Sequence, residues 1–233
     1  MKKTLWIAMV GALAASVVAA SAQGSGEVLS ANAVGYIKKT LPASGKLVAM
    51  SIPLNSMTET DIVFGRTSVA QEAPVGAIVS FWDEVNQVWA GGLKSTKGWS
   101  AGQSNRVVAP GEGFFLKGDP AAEVPFDVTI TGEVPADTTL TRNIIGDNSL
   151  ATLANPYPVD FKFGESTLAQ QASVGSIVSF WDEANQVWAG GLKSSKGWSA
   201  GQSNKIVAAG ESFFLRELGV ATIWEAAKPY TWP

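Results

Sequence analysis

The chain has 233 residues, with 17 Lys and Arg against 20 Asp and Glu for a formal net charge of −3, and it contains neither cysteine nor histidine. Without cysteine, burial and backbone pairing must hold the fold with no disulfides, and without histidine the commonest general base, zinc ligand and pH switch are lost together. The basic residues are scattered through a chain that is acidic overall, which argues against a nucleic-acid partner.

In chain order, the first element is an address. Lys2 and Lys3 precede an apolar run over residues 5–18, and Ala20-Ser21-Ala22 supplies a small-residue cleavage site, so residues 1–22 read as a secretory signal peptide and the mature chain starts at Gln23. Removing two lysines leaves 15 basic residues against 20 acidic ones, a net charge of −5. The apolar run falls short of the roughly twenty residues a spanning helix needs, and no later segment could cross a bilayer as a helix. With no cysteine to acylate, a lipoprotein is also excluded. The predicted location is secreted: cell envelope or extracellular, with the periplasm included.

The dominant feature comes next. Residues 75–117 and 174–216 are the same paragraph written twice, identical at about four-fifths of aligned positions. Upstream, Phe64-Gly65 matches Phe163-Gly164, residues 47–54 align with 150–157, and residues 37–43 align more faintly with 130–136. This divides the mature chain into a first unit at 23–120, a second at 121–217 and a tail at 218–233.

Within each unit the pattern is almost all β. Residues 78–82, 87–93, 106–109 and 114–117 are short β-branched or aromatic runs bounded by Gly, Pro, Asn and Ser, and they recur in the second unit. Only residues 58–73 and 165–172 are compatible with a helix, either as an irregular crossover or as one short helix. The predicted fold class is all-β: two tandem homologous small β-sandwich or barrel units with few or no helices apart from the signal peptide.

The most informative element is the hairpin FWDEVNQVW, repeated as FWDEANQVW. A four-residue loop over 83–86 sets Trp82 opposite Gln87, Phe81 opposite Val88 and Ser80 opposite Trp89. Val79, Phe81, Val88 and Ala90 then form a core face, and Trp82 and Trp89 share the other face diagonally, about 7 to 8 Å apart. Two readings of that face stand side by side. As structure, Trp82 and Trp89 form an aromatic cluster with Trp99 folded over it as a lid. As function, Trp82, Trp89 and Trp99 with Asn86 and Gln87 make a sugar platform, repeated by Trp181, Trp188, Trp198, Asn185 and Gln186. Two weak sites on one chain would gain avidity on a polysaccharide.

After the hairpin, Ala109-Pro110-Gly111-Glu112 resembles a phosphate loop, but no helix and no Lys-Ser/Thr pair follow it, so it reads as a type II turn. Catalytic chemistry finds little footing. The recurring acid pairs Asp83-Glu84 and Asp182-Glu183 diverge at a loop tip, the serines have no histidine to activate them, and the loop lacks the ligand register of a calcium site. The expectation is therefore no enzymatic activity, no cofactor and no metal. The closing residues 223–233 have no visible counterpart and read as a final strand covering an open edge, with Pro229 and Pro233 blunting further pairing.

The start Ser30-Ala31-Asn32-Ala33-Val34-Gly35-Tyr36, the tryptophan hairpin and the Pro110-Gly111-Glu112-Gly113-Phe114 strand entry together resemble a family of uncharacterised, signal-peptide-bearing bacterial secreted β-repeat proteins with an S-A-N-x-V-G-Y start. The resemblance covers residues 30–233 and implies an exported all-β protein of the cell envelope or exterior, with no catalytic residues to carry over. The second unit departs from that pattern at Ala209 and Ser212, which leaves open whether both turns share one geometry. The functional expectation is a non-enzymatic structural or adhesive protein whose partner is itself or an extracellular polysaccharide; the alternative is a carbohydrate-binding protein with one aromatic platform per repeat.

Overall fold

The computed structural model describes residues 33–231; the signal peptide read at 1–22 and the blunting role given to Pro233 lie outside them. The described chain runs through β1 (Val34–Leu41), β2 (Leu47–Ser51), β3 (Ile62–Val63), α1 (Ser68–Glu72), β4 (Ile78–Asp83), β5 (Val88–Leu93), α2 (Ala101–Ser104), β6 (Val107–Val108), β7 (Gly113–Lys117) and β8 (Phe126–Glu133). The series then repeats as β9 (Thr139–Ile144), β10 (Ser149–Ala154), β11 (Phe161–Lys162), α3 (Thr167–Gln171), β12 (Ile177–Asp182), β13 (Val187–Leu192), α4 (Ala200–Ser203), β14 (Ile206–Val207), β15 (Ser212–Glu217) and β16 (Thr222–Ala227). The all-β reading with two similar units in tandem holds. Among the described residues no helix is long and apolar enough to cross a membrane.

Each half is built on a four-stranded antiparallel sheet, in the order β2-β7-β4-β5 and again β10-β15-β12-β13. Two-stranded ribbons, β1-β8 with β3-β6 and β9-β16 with β11-β14, complete the halves. In each copy a 3-10 turn, Phe64–Arg66 or Phe163–Glu165, leads into one short α-helix, and these α-helices are capped at both ends. The Thr67 hydroxyl accepts from the Ala70 N–H at 3.2 Å, and Ser166 accepts from Ala169 at 3.1 Å. At the other end Lys94 Nζ donates to the carbonyls of Ala70, Gln71 and Ala73 at 2.9, 2.7 and 2.7 Å, and Lys193 repeats the arrangement.

Alternation along the central strand explains how each sheet buries apolar side chains on both of its faces. On β7, Phe114 and Leu116 enter the core of the first half while Phe115 points to the opposite face. That core also holds Val48, Met50, Phe64, Val79 and Phe81, with Phe64 edge-on to Phe81 at 5.2 Å. Phe163 and Phe180 repeat the pair at 5.4 Å in the second core.

The structure redraws the faint upstream alignment. Residues 37–43 do not correspond to 130–136. Instead Ile37 faces Ile130 across the β1-β8 ribbon, so β8, which the sequence places at the head of the second unit, pairs within the first half. The strand equivalent to β1 is β9, and β16 is its partner. The closing segment does return as a strand, as expected, but it has a counterpart after all in β8. A shared hydrogen bond fixes the match: Ser68 Oγ donates to the Thr129 carbonyl at 2.5 Å, and Thr167 Oγ1 donates to the Glu225 carbonyl at 2.7 Å. Side chains hid it, since Val128 and Ile130 on one ribbon are answered by Trp224 and Ala226 on the other.

Candidate functional site at the joint between the halves

The hairpin register differs from the expected one by two residues. Trp82 lies directly opposite Trp89, Phe81 opposite Ala90 and Asp83 opposite Val88. The loop is Glu84-Val85-Asn86-Gln87, closed by Gln87 in the left-handed region at φ 54° and by its counterpart Gln186 at φ 56°. Asp83 organises the turn by accepting from the N–H groups of Val85 and Asn86 and from Asn86 Nδ2, at 3.0, 2.9 and 2.8 Å. Because the slip is even, both indoles still share one side of the sheet, edge to face at 5.2 Å and, in the second half, 5.0 Å.

Two other expectations fail. Val88 and Ala90 are exposed instead of filling the core, because β5 is the outer strand of its sheet and the core lies under β2, β7 and β4. Trp99 is no lid on Trp82 and Trp89: it sits on the opposite face of the sheet, edge-on to Phe64 at 5.3 Å, with Nε1 donating to the Ala70 carbonyl at 2.8 Å. Trp198 is placed identically against Phe163, at 5.2 Å.

The tryptophan face of each sheet meets the other sheet. Trp82, only 9% exposed, lies 6.1 Å from Phe214, and reciprocally Phe115 lies 5.4 Å from Trp181. Phe115 and Phe214, equivalent positions in the two copies, face one another at 6.4 Å. Trp89 and Trp188 flank this cluster at 45% and 42% exposure, contacting Phe214 at 5.8 Å and Phe115 at 5.6 Å. The arrangement is isologous: each surface on one half is answered by the same surface on the other.

The polar residues of the expected platform close the joint. Gln87 Oε1 accepts from the Leu150 N–H at 2.9 Å, while Gln87 Nε2 donates to the Leu150 carbonyl at 3.1 Å. Gln186 does the same to Leu47, at 2.8 and 3.0 Å. One primary amide thus supplies the donor and acceptor that a neighbouring strand would offer to Leu47 at the start of β2 or to Leu150, the second residue of β10. The indoles join in, with Trp82 Nε1 donating to Leu150 O at 2.6 Å and Trp181 Nε1 to Leu47 O at 3.0 Å. Asn86 and Asn185 stay within their own loops, donating to Asp83 and Asp182 at 2.8 Å. Of the ten residues singled out by sequence, four clasp the opposite half, two close turns, two fill cores, and Trp89 and Trp188 remain half exposed.

Sequence reasoning found the type II turn at 109–112 but missed what both turns and the charges do at this joint. Gly111 and Gly210 share φ +73°, and Glu112 and Glu211 each donate their N–H three residues back at 2.9 Å, so both turns have one type II geometry despite Pro110 giving way to Ala209. Each turn also caps the other half: Ser51 N–H donates to Gly210 O at 3.0 Å and Ala154 N–H to Gly111 O at 2.9 Å. Gly113 meets its own equivalent, Ser212, where a Cβ on the glycine would collide with the serine Cβ. Only one of the two can carry a side chain, which explains the departure at that position. Beside the joint, Arg142 pairs with Glu84 at 2.5 Å; the equivalent positions in the other half are Lys39 and Glu183.

Neighbouring acids on each loop shift oppositely. Hydrogen bonds from Asn86 and Asn185 hold Asp83 and Asp182 below the usual aspartate range, whereas burial pushes Glu84 and Glu183 up despite the cations beside them. Among the described residues no group of three or more acidic side chains is arranged to hold a metal ion. A hollow of about 310 Å³ is lined by Leu47, Ser80, Trp89, Phe115, Trp181 and Trp188. No protein-family model, no curated protein and no solved structure matches the chain.

Proposed function

We propose that this chain is an exported, non-enzymatic structural or adhesive component of the cell envelope or exterior. The observation that carries the reading is the reciprocal clasp: Trp82, Gln87, Trp181 and Gln186 hold the two halves together rather than facing a ligand. The most repeated part of the sequence is then a fastener. Near-identity of the copies follows, because each hairpin must fit the strand that the other copy presents. The leader at 1–22 agrees with export. Fractionating cells that express the full chain tests the proposal: the expected product begins at Gln23 and sediments with envelopes or enters the medium. Retention in the cytoplasm with the leader intact would overturn it.

A second reading, polysaccharide binding, is favoured by the exposed faces of Trp89 and Trp188 around the 310 Å³ hollow. Indole rings of this kind stack on the apolar faces of sugars. Titration of soluble glycans against tryptophan fluorescence tests it, with loss of the response in Trp89→Ala and Trp188→Ala as the expected signature.

A further inference from the structure

Each four-stranded sheet has two edges, and they are treated in opposite ways. The β2 edge is closed by the other half, which takes the Leu47 N–H and carbonyl with Gln186 and the Ser51 N–H with the Gly210 carbonyl. The β5 edge is bare. Lys94 N–H donates to Ala77 O at 2.8 Å in the β4-β5 register, so by antiparallel alternation positions 88, 90 and 92 face β4, while the backbone groups of Trp89, Gly91 and Leu93 point outward. Among the described residues none of those three makes a backbone hydrogen bond beyond its own hairpin. Trp188, Gly190 and Leu192 repeat the arrangement on β13. The strand reads VWAGGL, with no proline, no charge and no bulge, so it lacks the devices that usually keep an edge from pairing.

We infer that copies of this chain join edge to edge, with β5 or β13 of one molecule pairing antiparallel with β5 or β13 of the next. The inference rests on the structural reading above and names the partner as a second copy. Three observations select that occupant. Read antiparallel about Gly91, the segment is its own complement: Gly91 meets Gly91, and Trp89 meets Leu93 of the other copy. Its ends are complementary in charge, since Asp83, whose carboxylate is favoured by the hydrogen bond from Asn86, stands at the base of the hairpin loop, and the turn after β5 carries Lys97. Antiparallel pairing brings each tip toward the other copy's turn. Finally, the exposed part of Trp89 is continuous with the aromatic joint, through contacts of 5.5 Å to Phe115 and 5.8 Å to Phe214.

Two such edges on one molecule make an open chain instead of a closed dimer. A six-strand-residue contact is smaller than the roughly 1,000 Å² typical of a stable interface, so growth should depend on concentration. The test is sedimentation velocity of the mature chain, residues 23–233, over a wide concentration range. The wild type is expected to form a ladder of species that lengthens with concentration. Leu93 and Leu192 are 54% and 55% exposed, so L93K or L192K alone should leave one edge and stop growth at dimers, and the double variant should stay monomeric with an unchanged near-ultraviolet circular dichroism spectrum. A wild type that is monomeric throughout, or a double variant that still assembles, would overturn the pairing. A monomeric wild type that still sediments with isolated envelopes would overturn edge pairing while leaving the adhesive reading intact.

Discussion

The two halves carry the same sheets and the same hairpins, yet their side chains have diverged unevenly, and the pattern separates what the joint demands from what each core tolerates. Trp82, Gln87 and Phe115 are repeated without change as Trp181, Gln186 and Phe214, because each must fit a surface that is also its own copy. The outer ribbons are less tightly bound to the joint, which they meet beside the hairpin loops, as Arg142 does at Glu84. There Val128 and Ile130 could be exchanged for Trp224 and Ala226, which redistribute volume between neighbouring positions of one strand. Gly113 and Ser212 are a third case, since identity at that spot is possible only for glycine.

The sharpest way to break the comparison is to put a second side chain at the self-facing position. Gly113→Val should cost about 3 kcal/mol through overpacking, read from urea denaturation, and adding Ser212→Gly should recover part of the loss. If Ser212→Gly restores nothing, the two positions do not meet. Next in size is the charged contact that only one side possesses. Arg142→Ala leaves largely buried Glu84 without its guanidinium and should cost about 2 kcal/mol, whereas Lys39→Ala should cost under about 0.5 kcal/mol. Equal losses would remove this distinction between the halves.

Gln87→Ala strands the Leu150 N–H and should cost about 1.5 kcal/mol, with Gln186→Ala costing nearly the same because the clasp is reciprocal. The smallest effect is in pH dependence. Asp83 and Asp182 have lowered folded-state values, so their contribution is present above the unfolded aspartate pKa and is lost as pH falls through the folded one. Glu84 and Glu183 are raised, so theirs is full below the unfolded glutamate pKa and is lost as pH rises through the folded one. Carboxyl-carbon NMR titration should therefore find each aspartate titrating at lower pH than the glutamate beside it; the reverse order would remove the Asx turn as the cause.

The repeat, the strand segments and the parity of the hairpin were legible because they rest on identity and on a period of two. The exact register was not. A glutamine at positive φ carries no sequence mark of the kind glycine or asparagine gives, and it moved the loop on by one residue at each side. The correspondence of β8 with β16 was hidden because one backbone path is lined by different side chains. The clasp was hidden because its receiving groups are main-chain atoms of Leu47 and Leu150, whose side chains say nothing about hydrogen bonding. Trp99 was misplaced for the same reason: its side of the sheet depends on the route from β5 through the turn at Gly98, where φ is +95°.

Residues 134–138 join the β8 and β9 strands covalently, and among the described residues the glutamine and indole clasp that binds the halves besides is noncovalent and mutual. Such a contact is what two separate polypeptides form when they associate as a homodimer, so the molecule has the anatomy of a fused pair. Separately produced pieces ending and beginning within that short stretch should find each other on mixing and regain the native tryptophan emission. Within one chain the two halves need not be identical: the serine opposite Gly113 and the arginine beside Glu84 are asymmetries that no single gene encoding a homodimer could acquire on one side alone.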